Sequence, residues 1–211
     1  MPRANAAPSP TQRHVLAVLK RHGEATADEL AGALEISPSA VRQHLGALRA
    51  TGLIEARQVR GSRGRPADRY RATERTETMF VGDDDLSIEL LAHVEEEDPE
   101  LVTRVFERRR RHLVDAARDR LDGDTIERRI AQVTELMDAQ GYLCDYEEVA
   151  NGHYRINLHN CAIWSVARRF RQACASELEF LRGVLPDAAV ERVTHKTAGA
   201  HTCAYDIRVA A

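Results

Sequence analysis

Three of the four cysteines in this 211-residue sequence, Cys161, Cys174 and Cys203, fall in its last quarter, with 12 and then 28 residues between neighbours. Thiolates are soft ligands for zinc and iron-sulfur centres, and thiols of lowered pKa are redox nucleophiles. The spacing lacks the paired Cys-x-x-Cys knuckles of a structural zinc site. The residues alone therefore leave open a metal or cluster centre, a thiol redox, zinc or small-molecule sensor, and three buried core cysteines. Cys144 reads as a further ligand or as a small buried hydrophobe. On one unbroken helix, Cys161 and Cys174 would stand roughly 20 Å apart at about 1.5 Å per residue, too far to grip one centre. The helix must break, and no Gly or Pro marks where. We place the break near Arg171 to Ala173, with Cys161 just before the first helix and Cys174 opening the second, a position that favours a lowered thiol pKa.

The elements around these cysteines follow from pattern. Tyr142 to Val149 and His153 to Leu158 alternate with period two around Asn151-Gly152, a strong hairpin signal. Ala162 to Phe170 and Ala175 to Leu185 read as helices, and Val190 to His195 and Thr202 to Val209 as two further strands around Gly199. Upstream, Leu86 to Glu97 reads as a short helix with Leu86, Leu90 and Leu91 on one side, after a Gly/Asp connector from Val81 to Asp85. Asp98-Pro99 opens a long helix to about Leu121, with Leu101, Val105, Leu113 and Ala116 near one face and Arg108 to Arg111 as a solvated run. A helix from Asp124-Thr125 to Gly141, with Ile126, Ile130, Val133 and Met137 inward, is expected to form an antiparallel pair with it.

The start of the chain has a different character. Residues 1–75 carry 13 Arg/Lys against 7 Asp/Glu, a net of +6, while residues 76–211 carry 17 against 26, a net of −9, which sum to the overall −3. A basic head on an acidic body suits nucleic-acid binding, because phosphate contacts need local positive charge. Thr11 to Arg21 is helical, Thr26 and Glu29 form a capping box for a second helix, and Ser37-Pro38 opens a third that runs to Thr51. Val41, Leu45 and Leu48 form its buried stripe, turning Ser39, Arg42, Gln43 and Arg49 outward. Leu53 to Val59 and Ala67 to Ala72 flank the loop Gly61 to Pro66, giving a winged helix-turn-helix with seven arginines between Arg57 and Arg75. The expected DNA contacts are Ser37, Ser39, Arg42, Gln43, His44 and Arg49 on the recognition helix and Arg60, Arg63 and Arg65 on the wing. Arg42 and Gln43 suit bidentate readout of guanine and adenine, and His44 suits a phosphate contact or a half-buried spacer. The competing reading is a solvated, arginine-rich hairpin on a protein-binding domain.

These motifs together resemble a known family. Tyr154-x-Ile156-x-Leu158-x-Asn160-Cys161, then Cys174 with Glu177-Leu178-x-x-Leu181, then Gly199-x-x-x-Cys203-x-Tyr205-x-Ile207 resemble the C-terminal half of the SufR-type iron-sulfur-cluster assembly repressors. Gly64-Arg65-Pro66-Ala67 and Tyr70-Arg71 are similar to the wing of their ArsR/DeoR-like winged helix-turn-helix. The resemblance spans residues 11–209, and its cysteine half is the more specific. It implies a homodimeric repressor that binds a double-stranded DNA operator, holds an iron-sulfur cluster of the 4Fe-4S type through Cys161, Cys174 and Cys203, and controls cluster-biogenesis genes. Two positions depart from the family pattern: Ala188 stands where a further cysteine can occur, and Ala162 where Pro commonly follows the first. The fourth iron therefore lacks an obvious ligand, with Cys144, His159, His195, His201, a small exogenous molecule or the partner subunit as candidates.

The fold class expected is mainly α with α+β parts. Residues 1–10 form a disordered start, 11–75 the winged helix-turn-helix, 76–141 a linker and helical dimerisation region, and 142–211 an α+β sensor with a small antiparallel sheet. No apolar run of about 18 residues could span a bilayer, and the N-terminus lacks a signal-peptide pattern, so a cytoplasmic protein is expected. His159 near Cys161 is the only hint of a nucleophilic pair. Without a nucleophile elbow, phosphate loop or paired carboxylates, no enzyme is expected.

Overall fold

The computed structural model describes residues 8–59, 67–80 and 85–209. The wing loop with Arg60, Arg63 and Arg65, and residues 81–84 of the connector, lie outside them. Contacts divide the chain into two units, Met1–Met79 and Phe80–Ala211.

The first unit runs α1 (Pro10–His22), β1 (Ala25–Thr26), α2 (Ala27–Leu34), α3 (Pro38–Ala50), β2 (Ile54–Val59) and β3 (Ala67–Ala72). Within the stretch expected to be disordered, residues 8–10 are ordered: Ser9 accepts from the Gln12 backbone N–H while the Gln12 side chain accepts from the Ser9 N–H, and Pro10 begins α1. The Thr26/Glu29 box caps α2 in the same way. Antiparallel β2 and β3 make the wing hairpin, and β1, too short to show a period, adds to the other side of β3. Val15, Leu16, Leu19, Leu30, Val41 and Leu45 form the core. A 3-10 turn (Glu74–Phe80) brings Glu77 onto α1, where its carboxylate meets the Lys20 ammonium at 2.7 Å, both side chains almost fully buried.

The second unit runs α4 (Asp85–Glu97), α5 (Pro99–Arg118), α6 (Ile126–Ala139), β4 (Cys144–Ala150), β5 (His153–Leu158), α7 (Trp164–Arg169), α8 (Arg171–Val184), β6 (Ala188–Thr194) and β7 (Cys203–Val209). Its strands form one antiparallel sheet in the order β4-β5-β7-β6. Gly152 at φ 69° supplies the left-handed turn of the first hairpin. Residues 76–141 and 142–211 are not separate bodies here, because Val114, Ile130, Val133 and Met137 share one core with Tyr154, Ile156, Leu181 and Tyr205.

Two helical expectations need correction. The buried face of α5 is Val102, Phe106, Val114 and Ala117, one residue on from the stripe read in the sequence, and it leaves Val105 and Ala116 exposed. Phe106 sets this phase, since its ring supplies the largest apolar surface on the helix. Nor do α5 and α6 form an antiparallel pair. Instead α5 packs chiefly on α8 and α6 on β4. Gly183 permits the first contact: a Cβ there would lie 2.9 Å from Val114 Cγ2. Among the described residues no helix is long and apolar enough to cross a membrane.

Removing one partner of the Lys20–Glu77 pair takes a 2.7 Å charge-assisted bond from the other, which stays buried. Lys20→Met is expected to destabilise the first unit by about 3–5 kcal/mol, and adding Glu77→Leu to recover most of that loss. Hydrogen exchange at the α1 amides of the full chain reads both; equal exchange in the single and double variants contradicts the pairing.

Candidate functional site

Two groups of residues could act on other molecules, one in each unit. In the first, the turn between α2 and α3 depends on Glu35, held in the left-handed region at φ 53° with its N–H donating to the Ala31 and Gly32 carbonyls. Ser37 then caps α3, its hydroxyl accepting from the Ala40 N–H at 3.2 Å. With Val41, Leu45 and Leu48 buried, Ser37, Ser39, Arg42, Gln43 and Arg49 are exposed and His44 half-buried. Arg42 meets Asp28 at 3.3 Å, an exposed pair that a phosphate or base edge can displace at little cost.

The basic hairpin is less free than its composition suggests. Arg57 donates twice to Glu24, Arg69 reaches Glu24 and Glu29, and Arg71 pairs with Glu55. These three arginines are paired within the unit. Sequence reasoning missed Tyr70, which lies close enough to Arg42 and Arg49 for their charges to act on its hydroxyl.

In the second unit, chain topology gathers three thiols. Leu158, the last residue of β5, pairs with Cys203, the first of β7, so Cys161 follows the end of the strand that Cys203 lies beside. The chain then enters α7, and at Phe170 the backbone turns extended (φ −114°, ψ 98°) before α8 begins. The break thus falls just ahead of the expected segment, and Cys174 lies in the first turn of α8. Cys161 and Cys174 pack together with Ala167, and each of the three thiols lies within electrostatic reach of another. The Cys203 sulfur accepts from the Lys196 N–H at 3.3 Å, and the Ile163 backbone and the Thr197 hydroxyl lie close enough to act on the Cys161 and Cys174 thiols.

All four cysteines are free thiols and buried. Burial, then the Glu177 carboxylate, push the Cys161 and Cys174 pKa up. Burial raises Cys203 to about 11, against the Lys196 N–H, which lowers it. The lowered pKa expected for Cys174 at a helix start is therefore overturned, because loss of water outweighs one turn of backbone dipoles. Cys144 lies in the main core, which Cys203 shares across Leu158, its thiol near Thr134 and its N–H on Asp138 Oδ1. His159 Nε2 pairs with Asp145 at 2.7 Å, His195 meets the Thr197 hydroxyl at 2.9 Å, and His201 is exposed. Among the described residues no three His, Cys, Asp or Glu side chains converge as ligands of one metal ion would.

Residues 9–56 match the family model described as bacterial regulatory protein, arsR family. The first unit is the DNA-binding winged helix of a transcription regulator. That match ends inside β2 and covers no cysteine. The crystal structure of a zinc-responsive MarR family member, ZitR of Lactococcus lactis, is similar over 65% of this chain and 79% of that one, with 21% identity and a TM-score of 0.31. Curated proteins offer no match to the chain.

Two groups beside the thiols escaped the sequence. Lys196 is buried, its ammonium donating to the His159 carbonyl at 3.0 Å. Glu177, noticed only as part of a motif, accepts from the Tyr205 hydroxyl at 2.8 Å, and burial raises its pKa. A lysine or glutamate in an amphipathic stretch reads as surface, and only the packing of three elements buries it.

The thiols impose a pH dependence on the metal-free chain. Unfolded Cys203 loses its proton near 9.0 and the folded residue near 11. Between those values the unfolded state binds fewer protons, so stability is full below the window and falls as pH rises through it. Urea midpoints should decline across that window, less steeply in Cys203→Ala; an unchanged slope in the variant contradicts the assignment.

Proposed function

We propose that this chain is a cytoplasmic, homodimeric transcription repressor that binds an operator through its winged helices. Its signal is an iron-sulfur cluster held by Cys161, Cys174 and Cys203, and its targets are cluster-biogenesis genes. The observation that carries the reading is the gathering of three buried thiols, from the connection after β5, the first turn of α8 and the start of β7, with a backbone donor on the Cys203 sulfur. Such donors are a protein's means of tuning a thiolate-ligated cluster. When bound, a cluster would supply iron-thiolate bonds that replace the protons these buried thiols otherwise keep. Arg192 places positive charge near the Cys174 and Cys203 thiols and donates to the Cys174 carbonyl.

The residues' own chemistry speaks against a thiol redox switch, since reactive cysteines are accessible and of lowered pKa, and these are buried with raised pKa. Cys144 is core, so the fourth ligand comes from elsewhere. Dimerisation is supported by Leu86 and Leu90 on α4, 67% and 56% exposed, and by Val105 on α5. An apolar helix face of this kind suits a second copy, and two recognition helices suit a palindromic operator. With the three thiols tied together, the second unit holds the dimer that binds DNA; with them released, it does not.

After anaerobic purification the chain should be brown, with a broad band near about 400 nm. Cys161→Ser, Cys174→Ser and Cys203→Ser should each lose the band and the cluster-dependent part of operator binding, whereas Cys144→Ala keeps both. A band that survives all three serine variants sinks the ligand set. Arg42→Ala should weaken operator binding without changing the colour.

A further inference from the structure

The second unit opens a space of about 590 Å³ between α4, α5, α7 and the start of α8. Its walls are mainly aliphatic: Leu91 comes from α4, Leu113 from α5, Ile163 and Val166 from the region of α7, and Phe106 adds one aromatic ring. A space of that size and character suits a small molecule with an apolar body.

Among the described residues in this wall, Arg109 alone carries a charge. Neither its guanidinium nor the Gln140 carboxamide, which lines the same space, meets a hydrogen-bond or ion-pair partner among the described residues. Both side chains are exposed, so they stand at the mouth. A smaller space of about 190 Å³ alongside, between α5, α6 and α8, has both in its lining as well, and the two donors mark where the spaces join. Glu177, in the wall of that smaller space, does not compete for them: one carboxylate oxygen accepts from the Tyr205 hydroxyl at 2.8 Å, the Tyr142 hydroxyl acts on the same group, and Oε1 is buried away from the opening. Arg109 belongs to the run Arg108 to Arg111, which makes this stretch of α5 basic within an otherwise acidic unit. An apolar space with unpartnered donors at a basic mouth selects an anion with an apolar tail.

We propose that this space binds a monocarboxylic acid with an apolar body, in chemical class a medium-chain fatty acid, whose carboxylate docks on the Arg109 guanidinium with the Gln140 carboxamide as a second donor. A planar guanidinium offers a carboxylate two parallel N–H groups. The alkyl chain runs along Leu91, Phe106 and Val166. An amine of the same length would meet Arg109 as a like charge. Leu86 and Leu90, the exposed residues suited to a second copy, are not in this wall, and of that group only Val105 is common to both surfaces. Ile163 also packs on the pair Cys161 and Cys174, so an occupant shares a wall with the thiol site. The acid site uses no cysteine, and it stands or falls apart from the iron-sulfur reading.

Calorimetric titration of the full chain with octanoate, octylamine and octan-1-ol tests this. Octanoate should bind saturably at one site per chain and more tightly than the other two. Arg109→Gln, at an exposed position, should weaken octanoate by about fivefold and leave octan-1-ol unchanged. Ser87→Trp, also at an exposed position, fills the larger space and should abolish octanoate binding. Octanoate binding that falls in both variants supports the site. No saturable octanoate binding, octylamine or octan-1-ol binding as tight as that of octanoate, or undiminished octanoate binding in either variant overturns it, whatever the colour of the protein.

Discussion

Cys161 and Cys174 can approach each other only because a buried side chain interrupts the helix between them. Phe170 is fully buried against Val102, Phe106, Val166 and Ala173, and seating its ring there sets the backbone extended for one residue. Neither glycine nor proline is involved. The break carries tertiary energy, since burying a phenylalanine stabilises by about 1.5–3 kcal/mol, more than one lost helical bond costs. From it follow the short α7, the restart at Arg171, and the place of Cys174 in the first turn of α8.

The third thiol arrives by a separate route that the sheet imposes. Antiparallel pairing of β5 with β7 sets Leu158 opposite Cys203, and period-two burial on β5 fixes which face they share. A one-residue slip would turn Cys203 and Tyr205 onto the other face of the sheet. Tyr205 in turn holds Glu177, which holds α8 against the sheet, so the register, the carboxylate and the helix bearing Cys174 depend on one another. In the first unit the logic is simpler: caps and a three-residue stripe fix α3, and the buried Lys20–Glu77 pair secures the segment leaving the wing.

Much of this was legible in residues. The Asn151-Gly152 turn, the Thr26 and Ser37 caps and the stripe of α3 are local signals, each decided within a few positions, and the structure keeps them. The required break between Cys161 and Cys174 was legible as a geometric demand, but its place was not, because Phe170 breaks the helix through contacts with α5 and α7. The phase of α5 was misread for a similar reason: Phe106 outweighs a regular aliphatic stripe. Glu177 and Lys196 were invisible as buried groups, and the raised thiol pKa values follow from burial that only three converging elements create.

The central claim is that these three thiols hold iron and sulfide. Iron, zinc and acid-labile sulfide per chain, assayed on protein purified without oxygen, address it most directly. Iron and sulfide in near-equal amounts and no zinc are expected in the wild type; zinc alone, or neither metal nor sulfide, would contradict cluster binding by these thiols.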